Sequence, residues 1–206
     1  METQQNHALP EEKDLFKLDG GRILRLLRDP LSALRLTEKE WLYGVLGLVA
    51  SFMGYLIWVL LFGSKLTELI YGFMPFGGLF APSRMSFEMF SRMFGIGLLS
   101  NAALLASLWL TGWWRSGAQP YWKAFLSQIG GIQYAIGAGM LVAGIFSFSF
   151  SLSVLVLGIS LLSSLVLSVH GGAEASGISK ERMSSYLVLS VSLYLVLLGV
   201  LMKLIF

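Results

Sequence analysis

Five apolar stretches, separated only by short polar or glycine-bearing breaks, occupy Trp41 to Phe206 and leave almost no room for a soluble domain. A hydrocarbon core of about 30 Å takes roughly 20 helical residues at about 1.5 Å of rise each. Residues 41–63, 88–113, 126–147, 150–170 and 185–206 reach that length. The expected fold is therefore all-α: a polytopic membrane bundle of five transmembrane helices over residues 41–206, behind a short amphipathic N-terminal region. Hydrophobic residues make up 55% of the chain and charged ones 13%, outside the range of soluble domains. Lipid is the solvent for most of this protein. Intramembrane polar groups, small-residue stripes and loop charges carry the functional information, and catalytic clefts are not expected.

The position of the charges predicts the topology. Seven basic residues precede Trp41 (Lys13, Lys17, Arg22, Arg25, Arg28, Arg35 and Lys39). Arg115 and Lys123 sit around the second loop, and Lys180 and Arg182 around the fourth, all on the same side of the membrane. The opposite side receives Lys65, Arg84, Arg92 and Lys203. Eleven against four puts the N-terminus in the cytoplasm and the C-terminus outside by the positive-inside rule. The first apolar run is too long for an ordinary signal-peptide core and ends at Phe62-Gly63-Ser64 without a small-residue cleavage pattern, so it reads as a retained span.

Residues 1–16 are polar and unpatterned, and read as a mobile tail. Residues 17–40 are basic and amphipathic: Arg22, Arg25 and Arg28 recur every third residue, with Ile23, Leu24 and Leu27 between them. Asp29-Pro30 reads as the start of a second helix carrying Arg35 and Lys39. Two placements are open. The pieces lie in the cytoplasmic interface, their arginines meeting anionic headgroups or a partner, or they pack as a lid on the ends of the spans. Nucleic-acid binding is not expected, because the basic content is modest and no reading motif occurs.

Inside the spans, small residues mark candidate helix-packing faces. Gly131, Ala135, Gly139 and Ala143 recur every four residues in the third span, and Gly130, Gly137 and Gly144 widen that face. The fourth span carries Ser160, Ser164 and Ser168 at the same spacing, and the second offers Gly97 with Asn101 beside it. Such stripes permit close helix approach and hydrogen bonds across an interface. Asn101, Gln128 and Gln133 are the buried-looking amides. No carboxylate, His or Lys lies near the middle of any span, which disfavours proton- or ion-coupled transport. Glu88 and Arg92, four apart at the outer start of the second span, suit an ion pair.

No enzyme, metal or cofactor is expected. The chain has no cysteine, hence no thiolate ligand or nucleophile. His170 reads as the polar end of the fourth span before Gly171-Gly172, with Glu174 its one nearby co-ligand, and Glu11-Glu12 lies in the polar tail. The first outer loop is unusual: residues 69–82 are apolar and aromatic but broken by Pro75, Gly77-Gly78 and Pro82. It is either an interfacial loop dipping aromatics into headgroups or a re-entrant element lining a cavity. Phe146 to Ser151 alternates Phe with Ser and reads as a tight turn at the outer interface.

Several local features resemble the Yip family of five-span membrane proteins. Arg28-Asp29-Pro30-Leu31, followed by Leu34 and Leu36, is similar to the family's Asp/Asn-Pro approach to the first span. Tyr121-Trp122-Lys123-Ala124-Phe125 running into Gly130-Gly131 resembles its short aromatic loop before a glycine-rich third span. Ser168-Val169-His170-Gly171 and Gly177-Ile178-Ser179-Lys180 look like its small-residue turn before the last span. The resemblance covers roughly residues 28–206 and departs from the family in the long aromatic first loop and the short N-terminal region. The short tail and compact loops point to a bacterial plasma-membrane protein. Eukaryotic members are associated with small GTPases and vesicle traffic, bacterial ones with ABC-type exporters.

Two functions fit these residues. The first is a non-enzymatic scaffold or accessory subunit assisting a transport or export complex, in contact with membrane lipids and with a membrane-protein partner, an ABC-type transporter or a second copy of the chain. The second is a permeation protein for small molecules or lipids, its cavity formed by the 69–82 loop and the glycine face of the third span.

Overall fold

The computed structural model describes residues 19–72 and 87–205. Among them there are six α-helices and no strand: α1 (Gly20–Arg28), α2 (Trp41–Gly72), α3 (Phe87–Ser116), α4 (Trp122–Ile145), α5 (Phe150–Ala175) and α6 (Met183–Ile205). Helices α2 to α6 are each long and apolar enough to cross a membrane, so this is an integral, multi-pass membrane protein of all-α architecture. The tail read over residues 1–16 lies outside the described residues, as do residues 73–86 of the loop between the first two spans.

Helix ends depart from the expected spans. Helix α2 does not stop at Gly63-Ser64 but continues to Gly72, so Leu69 to Gly72 of the expected loop are helical. Helix α5 runs through His170-Gly171-Gly172 to Ala175. Those glycines do not break it; they make room, since a Cβ on Gly171 would collide with Ile132 and one on Gly172 with the Tyr186 hydroxyl. The turn before the last span comes later, where Gly177 adopts φ +64°. There its N–H donates to the Glu174 carbonyl at 3.0 Å, and the Ile178 N–H to that of Ala173 at 2.9 Å, the paired bonds that close a helix on a left-handed residue. Hydropathy marks where a chain leaves lipid; these capping bonds mark where its helix ends. The Phe146–Ser151 alternation does form a tight turn, a 3-10 turn over Phe146–Phe148 leading into α5.

Helix α4 is the axis of the bundle: 61% of its apolar window is buried, against 33% or less for every other span. Its main partner is α2, which runs parallel to it. Gly130, Gly137 and Gly144, seven residues apart, face Gly44, Ala50-Ser51 and Trp58, and a Cβ on Gly130 or Gly137 would fall within 3.0 Å of α2 backbone. In return Gly47 and Gly54 press on the carbonyls of Gly130 and Gly137. A seven-residue step in both helices keeps the small residues on the side that faces the partner. With no side chain between them, Cα–H groups reach the facing carbonyls, a weak contact repeated along the seam.

Apolar clusters close both ends of the bundle. At one end Leu26, Ala33 and Leu36 of the N-terminal region pack on Tyr43, Ile132 and Tyr134. At the other, Trp58, Val59, Phe62 and Ala143 pack together, with Trp58 and Phe62 stacked at 5.1 Å. There Trp58 donates its indole N–H to Ser153 (3.0 Å), which donates to the Ala143 carbonyl (2.8 Å), tying α2, α5 and α4. Helix α6 is held against α3 by tyrosines: Tyr186 donates to the Leu108 carbonyl at 3.2 Å and Tyr194 shares a 2.8 Å bond with Ser100.

The seam predicts a sharp asymmetry among glycine substitutions. Gly137→Leu forces α2 and α4 apart and should cost about 3 kcal/mol or more, seen as a lowered melting temperature in detergent. Gly199→Leu should not lower melting, because a side chain at Gly199 meets nothing within 4 Å. Equal melting of the two variants would remove the seam from its central role.

Candidate functional site

The every-fourth stripe of the third span does not face one neighbour. Gly131 lies against Ala33 and Leu36 of the N-terminal region, and Gly139 against Ser160 of α5. Ala143 is buried in the Trp58 cluster, and Ala135 is half-buried. The closest helix contact belongs instead to Gly130, Gly137 and Gly144, with Gly44, Gly47 and Gly54 of the first span, which sequence reasoning passed over. Their signal was present as a glycine row stepping by seven in the third span and as Gly47 and Gly54, also seven apart, in the first, in register only when both spans are laid side by side. Gly130, Gly137 and Gly144 of α4 are covered by α2, Gly131 by the N-terminal region and Gly139 by Ser160 of α5; residues 73–82 of the other half of the expected permeation route lie outside the described residues.

The serine stripe of α5 divides three ways. Ser168 accepts a buried hydrogen bond from the Gln133 amide of α4 at 3.1 Å, a cross-helix contact of the expected kind. Ser160 bonds back to its own helix at Val156 (2.9 Å) and presents its small side chain to Gly139. Ser164 lines a cavity.

That cavity, about 340 Å³, lies between the two apolar ends and takes residues from all five spans. Asn101, midway along α3, and Gly97 line it, opposite Ser51 and Tyr55 of α2, Met140 of α4, Ser164 of α5 and Tyr194 of α6. Gly97 packs against α2 as well: it is buried, and a Cβ there would strike the Tyr55 ring of that helix. Asn101 donates one amide hydrogen to the Gly97 carbonyl at 3.1 Å, and Tyr55 donates to the Met93 carbonyl at 3.1 Å. No carboxylate, imidazole, ammonium or guanidinium is among its lining residues, so the chemistry offered is neutral hydrogen bonding in an apolar wall.

The N-terminal region is a lid, not a pair of free interfacial helices. Asp19 caps α1, its carboxylate accepting from the Gly21 N–H at 2.9 Å while its own N–H donates to the Tyr43 hydroxyl at 2.8 Å. After α1 the chain makes a 3-10 turn over Pro30–Arg35, whose start Asp29 does not cap through its side chain. Gln128 of α4 donates to the Leu36 carbonyl at 3.3 Å. Burying Leu26 and Leu36 here is driven by water exclusion, about 2 kcal/mol per side chain. Glu40 is the hub: its carboxylate accepts from the Thr37 N–H (2.9 Å) and hydroxyl (3.1 Å), and it pairs with Arg22. Arg22 also lies 5.5 Å over the Tyr43 ring. Arg22 therefore fastens the lid, whereas Arg25, Arg28 and Arg35 are exposed. Arg25 and Arg35 border, with Arg22 and Ser32, a small pocket of about 90 Å³.

His170 is not a helix terminus but lies within α5, and pairs with Glu174 one turn on at 3.2 Å. Glu88 and Arg92 form the expected pair at 2.6 Å. Among the described residues no group of three potential metal ligands converges. Compared with known proteins, the chain matches no family model, no curated sequence and no solved structure.

The hub predicts how the lid opens. Glu40→Ala removes the Arg22 pair and the Thr37 bonds together, a loss on the order of 1 kcal/mol for a partly exposed pair. Trypsin cleavage after Arg25 or Arg28 should then accelerate about fivefold, with the spans still intact. An unchanged cleavage rate would show that burial of Leu26, Ala33 and Leu36 holds the lid without Glu40.

Proposed function

We propose that this protein is a non-enzymatic membrane scaffold or accessory subunit that binds other membrane proteins through its lipid-facing helices and assists a transport or export complex. The outer face of α6 carries this reading. Only 11% of the apolar window of α6 is buried. Ser184, Ser192 and Gly199 are exposed on one side of it, among Val188 and Leu195. Packing inside the chain does not require a glycine at position 199, nor at Gly158 of α5, where a Cβ also meets nothing within 4 Å. Glycine in a helix interior is unfavourable by about 1 kcal/mol relative to alanine. In lipid that disadvantage is offset when a second helix packs closely on the bare backbone. The absence of a carboxylate, His or Lys near the middle of any span supports a binding role over ion-coupled transport.

The reading extends to a place in the bacterial branch of the Yip family, on the residues quoted above, and to the plasma membrane with a cytoplasmic N-terminus. The partner is then a membrane component of a transporter, of which the ABC type is one, or a second copy of the chain. Arg25, Arg28 and Arg35 add an exposed basic surface for anionic headgroups or for the cytosolic side of that partner.

The cysteine-free chain makes both parts testable. With single cysteines at Gly199 and Ser192, a bis-maleimide applied to native membranes should give a discrete adduct, and a cysteine at Leu155 of α5 should not. An adduct of twice the chain mass identifies self-association, and any other mass a partner to be sequenced; no adduct at either α6 position sinks the scaffold reading. For orientation, Ser147→Cys should react with a membrane-impermeant maleimide in intact cells, and Ala118→Cys only after permeabilisation. The reverse pattern would invert the topology.

A further inference from the structure

We infer that the mid-membrane cavity is a binding site for a neutral lipophilic molecule bearing one hydrogen-bonding group, a hydroxyl or a carbonyl, that reaches it from the lipid phase. This stands apart from the scaffold reading, which needs no ligand. Protein interiors are packed to crystal-like density with few voids larger than a water. A space of about 340 Å³ is instead of the size that small-molecule sites have, and it is built as they are: mostly apolar, with a few convergent polar groups. Ile96, Leu104, Met140, Leu161, Leu162 and Leu165 form the apolar wall.

The polar groups have capacity left. Asn101 spends one amide hydrogen on the Gly97 carbonyl, leaving its second hydrogen and its carbonyl oxygen for a ligand. In the Ser100–Tyr194 pair one hydroxyl donates to the other, and the accepting hydroxyl keeps its own hydrogen to give. Donors and an acceptor thus meet at the middle of the membrane, where water is absent and an unmet amide is costly. A hydroxyl or carbonyl satisfies them, whereas an ion does not, because no lining residue carries an opposite charge. Water could serve the Asn101 corner but not the leucine wall, where it would lack the two to four partners it needs. Access is lateral: Leu162, which lines the cavity, is 67% exposed on the lipid-facing surface of α5, and Leu161 beside it is 49% exposed.

Photolabelling of the full chain in nanodiscs tests the site, using a diazirine-bearing long-chain alcohol and the matching diazirine hydrocarbon without the hydroxyl. The alcohol should label α3 and α5 at cavity residues saturably, with unlabelled alcohol competing, while the hydrocarbon labels lipid-facing positions without saturation. Asn101→Leu should cut saturable labelling about tenfold, the effect of losing one hydrogen bond to a neutral group, with an unchanged melting temperature. Leu161→Trp, at the lipid-facing mouth, should block labelling without touching the polar corner, and keeps the test decisive where Asn101→Leu disturbs folding. Equal labelling by alcohol and hydrocarbon overturns the proposal in favour of an acyl chain filling the space. Saturable labelling that survives both substitutions places the ligand elsewhere and overturns it as well.

Discussion

Backbone touches backbone along the α2–α4 seam, and the rest of the bundle is arranged around that contact. Lipid tails are as apolar as leucine, so two helices in a bilayer gain nothing from hiding apolar side chains against each other. What they gain is dispersion contact and weak polar contact, both of which fall off steeply with distance. Gly44, Gly47 and Gly54 opposite Gly130 and Gly137 remove the side chains that would keep the axes apart. Once that pair is fixed, the remaining faces of α4 are assigned: Gly139 and Gln133 toward α5, Gly131 toward the lid.

Two solvents act on this one chain. In the spans, neighbours are joined by small surfaces and isolated hydrogen bonds, such as Gln133 to Ser168 and Tyr186 to Leu108. At the lid the driving force is the ordinary hydrophobic effect, because Leu26, Ala33 and Leu36 leave water when they meet Ile132 and Tyr134. Glu40 sits where the two regimes join. It closes the turn that begins α2 and holds Arg22 at the same time, so the first span and the lid share a boundary residue.

The spans were legible in the sequence because twenty apolar residues in a row have few other fates, and Glu88–Arg92 because helical spacing alone brings four-apart charges together. Helix ends were less legible. The stretch through Gly171-Gly172 looks like a break when read alone, yet both glycines are interior and serve contacts with Ile132 and Tyr186 that only the folded bundle reveals. The packing faces were half legible. A four-residue stripe at Gly131, Ala135, Gly139 and Ala143 is a real set of small residues, but which side of a helix meets which neighbour depends on the other helices, and the seam follows the seven-residue row beside it. The cavity was not legible at all. Gly97, Asn101 and Ser164 were each singled out for packing, and no spacing rule within one helix could show that they meet with Tyr194.

A tight seam on one side of the bundle explains why space remains on the other. With α2, α4 and α5 drawn together by glycine and serine, α3 and α6 are left as an outer pair, joined to each other by Tyr186 and Tyr194. The bulky clusters at the two ends keep these outer helices from closing over the middle, where the facing residues are Gly97, Ser100 and Ser164, too small to fill the gap. The same division puts rigid contacts and adaptable surface in different helices. A partner or ligand that binds between or upon α3, α5 and α6 meets the part of the molecule with the fewest internal contacts to lose, while the α2–α4 axis and its lid stay fixed behind it.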